Sequence, residues 1–181
     1  MAAPNAEAPR LHASTVGSAT IAPDGKRVAF VGYDDPLTSP QNDHIGVLEL
    51  STKKRQWVSR ALDRTFATTA GAVAPIWTSD GWLLAYAEDR GTAHVVRVDP
   101  SGKKAPEWLT SGRRIVKGMH AAGGTIGFVA SAVDQMTEVY AIVGGSEKRL
   151  SDLGAHLVAE TKPQTWEHFT VPTGSSYAGG P

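Results

Sequence analysis

A strand-rich unit that recurs along this chain limits its fold more than any other feature of the sequence. Two clear copies begin at Ala19-Thr-Ile-Ala-Pro-Asp-Gly-Lys-Arg-Val-Ala-Phe and at Ala74-Pro-Ile-Trp-Thr-Ser-Asp-Gly-Trp-Leu-Leu-Ala-Tyr, and a weaker third is His120-Ala-Ala-Gly-Gly-Thr-Ile-Gly-Phe-Val-Ala. Repeats of several short strands, spaced by roughly 40–55 residues, are typical of β-propeller blades. The sequence therefore predicts an all-β fold: a partial β-propeller of about three four-stranded antiparallel blades.

Three blades are too few to close a ring. A propeller hides its strand edges by closing, typically with about 4–8 blades. We therefore expect further blades on other polypeptide. Along the chain, residues 1–11 are predicted to be a disordered lead-in and residues 12–160 the blades. Residues 161–181 are predicted to be a linker and the first strand of a different unit, because Trp166-Glu-His-Phe-Thr-Val alternates like a strand.

Turn residues divide each predicted blade into strands. Pro23-Asp-Gly and Ser79-Asp-Gly are typical hairpin turns, in which Pro presets φ and Gly supplies a positive φ. A turn or two of helix is predicted within 152–160. The predicted strands are 18–22, 27–33, 44–50 and 55–59 in the first blade; 74–78, 82–87, 92–98 and 107–110 in the second; and 115–119, 125–131, 138–143 and 147–150 in the third.

The bulk composition excludes several classes of function. The 181 residues contain 18 Lys plus Arg and 18 Asp plus Glu, so the formal net charge is zero, which argues against nucleic acid or an anionic membrane as a main partner. Without cysteine there are no disulfides, thiolate chemistry or cysteine-based zinc sites, and we expect no cofactor. The sequence shows neither a signal peptide nor an apolar run long enough to span a bilayer, so a cytoplasmic protein is expected.

An ordered series of stretches carries a resemblance to a known family. The series resembles the propeller of the prolyl oligopeptidase family of serine peptidases, most closely its acylaminoacyl-peptidase branch, over about Ser18 to Val171. Its members are Pro23-Asp-Gly-Lys-Arg-Val-Ala-Phe; Ala74-Pro-Ile-Trp-Thr-Ser-Asp-Gly with Glu88-Asp-Arg-Gly-Thr-Ala-His; Gly127-Phe-Val-Ala-Ser with Thr137-Glu-Val-Tyr and Arg149-Leu-Ser; and Leu157-Val-Ala-Glu-Thr-Lys-Pro-Gln-Thr-Trp-Glu-His-Phe-Thr-Val.

This resemblance implies a propeller that sits over an α/β-hydrolase domain and limits access to short or unfolded peptides. The implied partners are that hydrolase domain, the remaining blades and peptide substrates, and residues 161–181 would contain the first hydrolase strand. The early blades and the catalytic domain of the family are absent from this sequence. We therefore expect the chain alone to be inactive, as the propeller portion of a serine peptidase.

The candidate chemical groups are few. Gly174-Ser-Ser-Tyr-Ala-Gly-Gly looks like a nucleophile motif, but a nucleophile elbow needs a following helix and a later Asp and His. Only five residues follow Ser176, and none is acidic or His, so no catalytic residue is predicted. The histidines lack metal-ligand spacing, and no metal site is predicted. Arg113 and Arg114 follow a blade-closing strand; they are predicted either to face the channel or hydrolase as substrate-gating residues, or to be solvated turn residues.

A second hypothesis needs no hydrolase. The chain would then be a TolB-like or WD-type interaction module that completes its ring by forming a homo-oligomer, because unpaired strand edges favour pairing. Light scattering separates the two hypotheses, since only the second predicts a stable closed oligomer.

Overall fold

The structure, a computed structural model, describes residues 16–35, 37, 40–66, 73–167 and 169–170. Within these residues the chain forms strands and one short helix. The elements are β1 (Val16–Ile21), β2 (Arg27–Gly32), β3 (His44–Glu49), β4 (Arg55–Trp57), β5 (Ile76–Trp77), β6 (Leu83–Asp89), β7 (Thr92–Val98), β8 (Glu107–Trp108), β9 (Ile115–Ala122), β10 (Thr125–Ala132), β11 (Gln135–Val143), β12 (Ser146–Arg149) and α1 (Ala155–Thr161).

The strands form three successive antiparallel blades, which confirms the predicted partial β-propeller. Blade 1 has the order β1-β2-β3-β4. Blade 2 (β5 to β8) and blade 3 (β9 to β12) share one sheet, because Ala93 of β7 pairs in parallel with Ile115 of β9. This junction forms because β8 covers only two residues of β7, Val96 and Arg97, and leaves the edge at Ala93 open. The sheets do not close into a ring.

Blade 2 is buried on both faces, and this defines the architecture. Alternate residues of β6, Leu83, Ala85 and Ala87, pack against blade 1 in one apolar cluster. The intervening residues Leu84 and Tyr86 pack against blade 3 in a second cluster. A strand covered on both sides reads as a continuous apolar run, which explains the sequence Leu-Leu-Ala-Tyr-Ala. Each fully buried Leu contributes roughly 1.5–3 kcal/mol relative to an exposed one.

The repeated turns adopt the conformation that their residues predict. In the β1–β2 turn, Gly25 has φ +68°, and its N–H donates to the Ala22 carbonyl at 2.8 Å. Asp24 accepts from the Lys26 N–H at 2.9 Å. These contacts close the hairpin and set the β1–β2 register, in which Ile21 opposes Val28.

Several predicted boundaries were wrong. The inner strand of blade 2 is only Ile76–Trp77 rather than 74–78, because Pro75 has no N–H to donate to a ladder. The outer strand is only Glu107–Trp108 rather than 107–110, because Thr110 bonds to β7 through its side chain instead of its backbone. In blade 3, β9 and β11 are longer than predicted.

The two ends of the chain fall largely outside the described residues. This applies to the predicted lead-in 1–11 and to the Ser176 segment. Of the predicted strand 166–171, residues 166–167 and 169–170 are described and have no strand pairing, so the start of a hydrolase domain stays a prediction. Helix α1 confirms the short helix predicted within 152–160. No helix in the described part of the chain has the length and apolar character needed to cross a membrane.

The outward faces of blades 1 and 3 carry apolar side chains without a further blade on them. On blade 3, Val139 and Val143 point away from blade 2 and are 37% and 51% exposed. On blade 1, Ile21 is 59% exposed beside Val28. Phe30 lies on the same outward face but is buried, because its ring fits over Gly46 and against the Trp57 ring at a centroid distance of 5.3 Å.

Candidate functional site

The candidate site lies at one end of the blades, which we call the exit end. This end contains the start of β1, the β6–β7 turn, the 109–114 connection between blades 2 and 3, and the point where the chain leaves β12. The opposite end, the turn end, carries the β1–β2, β5–β6 and β9–β10 hairpins. The predicted gating residues Arg113 and Arg114 belong to the 109–114 connection, so the fold places both at the exit end.

Arg114 is held in place by contacts with blade 3. Its guanidinium donates two hydrogen bonds to the Glu147 carboxylate, at 2.7 and 2.6 Å, and lies 5.0 Å from the Tyr140 ring centroid and 5.6 Å from that of Phe128. The Glu147 hydrogen bond raises the pKa of Arg114 above its usual value. Arg114 therefore ties the start of β9 to β12, and its charge is already paired.

Arg113 points to a different segment. Its side chain is exposed, and its Nη1 donates to the Trp166 carbonyl at 3.0 Å. The guanidinium also lies 5.4 Å from the Trp166 ring centroid, a cation–π distance. Arg113 therefore holds the segment that follows α1 against the connection between blades 2 and 3.

A cavity of about 370 Å³ opens beside this contact. We call it the exit cavity; its lining includes Asp89, Arg90, His94, Trp108, Thr110, Arg113 and Trp166. His94 is only 6% exposed; its Nδ1 lies 3.3 Å from the Thr110 hydroxyl, and its ring meets Trp108 edge-on. Burial and the charge of Arg114 lower the pKa of His94, so the ring is neutral at pH 7.

The polar groups at His94 hold neighbouring backbone in place. The Thr110 hydroxyl accepts the Val95 N–H at 3.0 Å, and the Leu109 N–H donates to the Val95 carbonyl at 2.8 Å. Together these bonds hold the 109–114 connection along β7. They fix the position of Arg113 relative to blade 2.

Sequence reasoning missed a buried carboxylate near the same end. Glu138 is 1% exposed and accepts hydrogen bonds from the Ser151 hydroxyl at 2.5 Å and from the N–H groups of Leu153 and Gly154 at 2.9 and 2.8 Å. These hydrogen bonds lower the pKa of the Glu138 carboxyl to about 2. The bond from Ser151 is the largest cause, and the two backbone bonds add to it. The sequence did contain a sign of this burial, because strand alternation places Glu138 on the same inward face of β11 as Tyr140 and Ile142.

A second cavity, of about 400 Å³, lies at the turn end between blades 2 and 3. Its floor is apolar and includes Leu84, Leu109, Ile126 and Ile142. Its rim carries an ion pair in which Arg97 Nη2 lies 2.6 Å from Asp80 Oδ2. The guanidinium of Arg97 also stacks 4.1 Å above the Trp82 ring. None of the predicted site residues lies here.

Other predicted candidates are dispersed. Asp34, which follows β2, is paired with Arg55 at 2.9 Å and with Arg60. Within the described ranges no three His, Asp or Glu side chains converge as metal ligands. Ser176 lies outside those ranges. The Trp residues are packed but not fully buried; Trp77 links blades, because its Nε1 donates to the Thr20 carbonyl at 3.4 Å.

Comparison with known proteins identifies the fold. No family model and no curated protein matches the chain. Among solved structures, the chain resembles the β-propeller domain of the Trilobed protease from Pyrococcus furiosus, with a TM-score of 0.56 at 16% identity over 71% of this chain. It resembles Pyrococcus horikoshii acylaminoacyl peptidase with a TM-score of 0.61 at 17% identity over 80% of this chain. A puromycin hydrolase gives 0.57 at 15% identity over 76%.

The matched part of each of these proteins is its propeller. The chain spans only a fraction of their length: 36% of the trilobed protease chain, 21% of the acylaminoacyl peptidase and 22% of the puromycin hydrolase. The predicted resemblance to propellers of prolyl oligopeptidase-type peptidases is therefore confirmed at the level of the fold.

Proposed function

We propose that this chain is the propeller portion of a serine peptidase of the acylaminoacyl-peptidase or prolyl oligopeptidase type. In that role it scaffolds a hydrolase domain and restricts the access of peptides to it. The observation that carries the proposal is the three-blade match to peptidase propellers, with TM-scores of 0.56 to 0.61. This chain spans 21% of the acylaminoacyl peptidase and 22% of the puromycin hydrolase, which leaves room in such proteins for a separate catalytic domain.

The exit end supports the placement of the hydrolase domain. β1 begins there, and the segment after β12 leaves there, held by Glu138 and by the contact between Arg113 and Trp166. A domain connected through that segment would lie against this end. Of the two arginines predicted to gate substrates, we assign gating to the exposed Arg113, whereas Arg114 supports it by fixing the connection through Glu147.

The apolar outward faces support the presence of neighbouring blades. Val139 and Val143 on blade 3, and Ile21 on blade 1, lie on outward faces, whereas both faces of blade 2 are buried against its neighbouring blades. Leaving such faces in water forgoes roughly 25 cal/mol per Å² of apolar area. Either further blades of the parent protein cover them, or a second copy does, as in the alternative of a TolB-like or WD-type homo-oligomeric module.

Two measurements test the proposal. The native protein in its source, detected with an antibody to this chain, is expected to be much heavier than 19.1 kDa and to react with a fluorophosphonate serine probe. The purified 181-residue chain is expected not to react, with Ser176→Ala as the matched control. A native protein of 19.1 kDa that forms a stable closed oligomer by light scattering would favour the alternative. Probe labelling of the chain that disappears in Ser176→Ala would refute the non-catalytic role.

A further inference from the structure

The exit cavity carries positive charge that the described part of the chain does not neutralise. Arg90 and Arg113 both line it, and neither forms an ion pair with any described residue. The two acids whose charges act on His94, Asp89 and Glu147, are already paired. Asp89 accepts from Arg64 Nε at 2.6 Å, and both carboxylate oxygens of Glu147 accept from Arg114.

The walls of the exit cavity are aromatic. Trp108, which is 37% exposed, and Trp166, which is partly exposed beside Arg113, both line it. The buried, neutral ring of His94 also lines the cavity and meets the Trp108 ring edge-on. A volume of about 370 Å³ is in the range of small-ligand pockets, which usually combine apolar and aromatic walls with a few polar or charged groups.

We propose that the exit cavity binds a carboxylate group, held by the guanidinium groups of Arg113 and Arg90, with the attached carbon chain between the indole rings of Trp108 and Trp166. Guanidinium groups present parallel N–H donors that match the two oxygens of a carboxylate. Arg113 uses only Nη1 for the Trp166 carbonyl and keeps its other donors. Because the guanidinium of Arg113 already stacks on the Trp166 ring, its side chain loses less conformational freedom when a ligand binds.

Two sources supply this chemistry, and the test separates them: the C-terminal carboxylate of a short peptide, or an acidic side chain. Carboxylate binding would add a ligand to the proposed gating role of Arg113. It rests on that proposed function only for where the ligand comes from. Its test, however, measures binding to this chain alone. Binding can therefore fail while the native protein still proves to be a larger peptidase.

The experiment titrates the full chain at pH 7 with three probes and follows tryptophan fluorescence. N-acetyl-phenylalanine offers a C-terminal carboxylate, N-acetyl-phenylalaninamide removes it, and N-acetyl-aspartic acid amide offers only a side-chain carboxylate. We expect one of the acids to bind at least about tenfold more tightly than the neutral amide. Preference for the first acid identifies a peptide C-terminus, and preference for the second identifies an acidic side chain.

A second readout is the His94 ring, followed by NMR. The charged groups around it are Arg114, Asp89 and Glu147, with Arg90 and Arg113 in the cavity lining. A carboxylate bound among them adds negative charge and stabilises the imidazolium form. The carboxylate probes are therefore expected to raise the pKa of His94, and the amide is expected to leave it unchanged.

Variants decide whether the charge of Arg113 is responsible. Arg113→Gln is expected to weaken binding of the acid about tenfold. Arg97→Gln is the matched control, because Arg97 also stacks on a Trp ring but is neutralised by Asp80 at the turn end, and it is expected to leave affinity unchanged. Equal binding of acid and amide, absence of binding by both acids, or equal loss in the two variants would overturn the proposal.

Discussion

Replacement of Gly46 by Ala tests the packing of the outward face of blade 1. Gly46 lies in β3 opposite Phe30 of β2 and Trp57 of β4. A Cβ at this position would lie within 2.8 Å of three ring carbons of Phe30. The ring has little room to retreat, because it is buried and meets Trp57 at a centroid distance of 5.3 Å. The methyl group must therefore displace the ring or the strand.

The magnitude follows from two opposing contributions. Overpacking of a filled site costs roughly 1–3 kcal/mol. Replacing a strand glycine by alanine returns about 0.5–1 kcal/mol by restricting the unfolded chain. We expect Gly46→Ala to lower the free energy of unfolding by about 1–2 kcal/mol, which moves the urea midpoint down by about 0.5–1 M.

Gly127→Ala is the matched control, because Gly127 also lies inside a strand but its added Cβ would meet nothing within 4 Å. It is expected to leave the midpoint unchanged or to raise it slightly. In a double variant, Phe30→Leu makes space for the methyl group, and the loss from Gly46→Ala should shrink by about 1 kcal/mol. Equal urea midpoints for Gly46→Ala and Gly127→Ala would refute the packing argument.

Three further predictions concern polar side chains of the blades. Arg114→Ala should lower the free energy of unfolding by about 2 kcal/mol, because it leaves Glu147 without its two hydrogen bonds. The neighbouring Arg113→Ala should cost less than about 0.5 kcal/mol. Equal urea midpoints for the two variants would contradict the structural role of Arg114. Because the pKa of Glu138 is lowered from 4.5 to about 2, its stabilising contribution is present above pH 4.5 and is lost as the pH falls towards 2, so Glu138→Gln should flatten the acid limb of the urea midpoint against pH. A limb that is unchanged in Glu138→Gln would show that other carboxylates dominate. Burial raises the pKa of Tyr86 to about 12, so its contribution to stability is present below pH 10 and is lost towards pH 12. Tyr86→Phe should remove that loss of stability at alkaline pH. Identical profiles of urea midpoint against pH for the two proteins would show that Tyr86 does not cause it.

The strands follow from local signals in the sequence. Pro23-Asp-Gly and Ser79-Asp-Gly specify hairpins whose hydrogen bonds close within a few residues. Within each strand, successive side chains point to opposite faces of the sheet, so the strand positions determine which residues share a face. Such features depend on neighbours along the chain, so blade number and strand order were predictable. Strand ends were less so, because Pro75 and Thr110 shortened strands by changing their backbone pairing.

The site depended on contacts between residues far apart in sequence. Arg113 and Arg114 are adjacent and chemically alike, yet one donates to Glu147 and the other lies on Trp166, 53 residues away. Glu138 became an anchor for the 151–154 segment only because the inward face of β11 aligned it with that loop. Local propensity specifies backbone shape, whereas the pairing of charges is decided by which surfaces the packed blades bring within a few ångströms of each other.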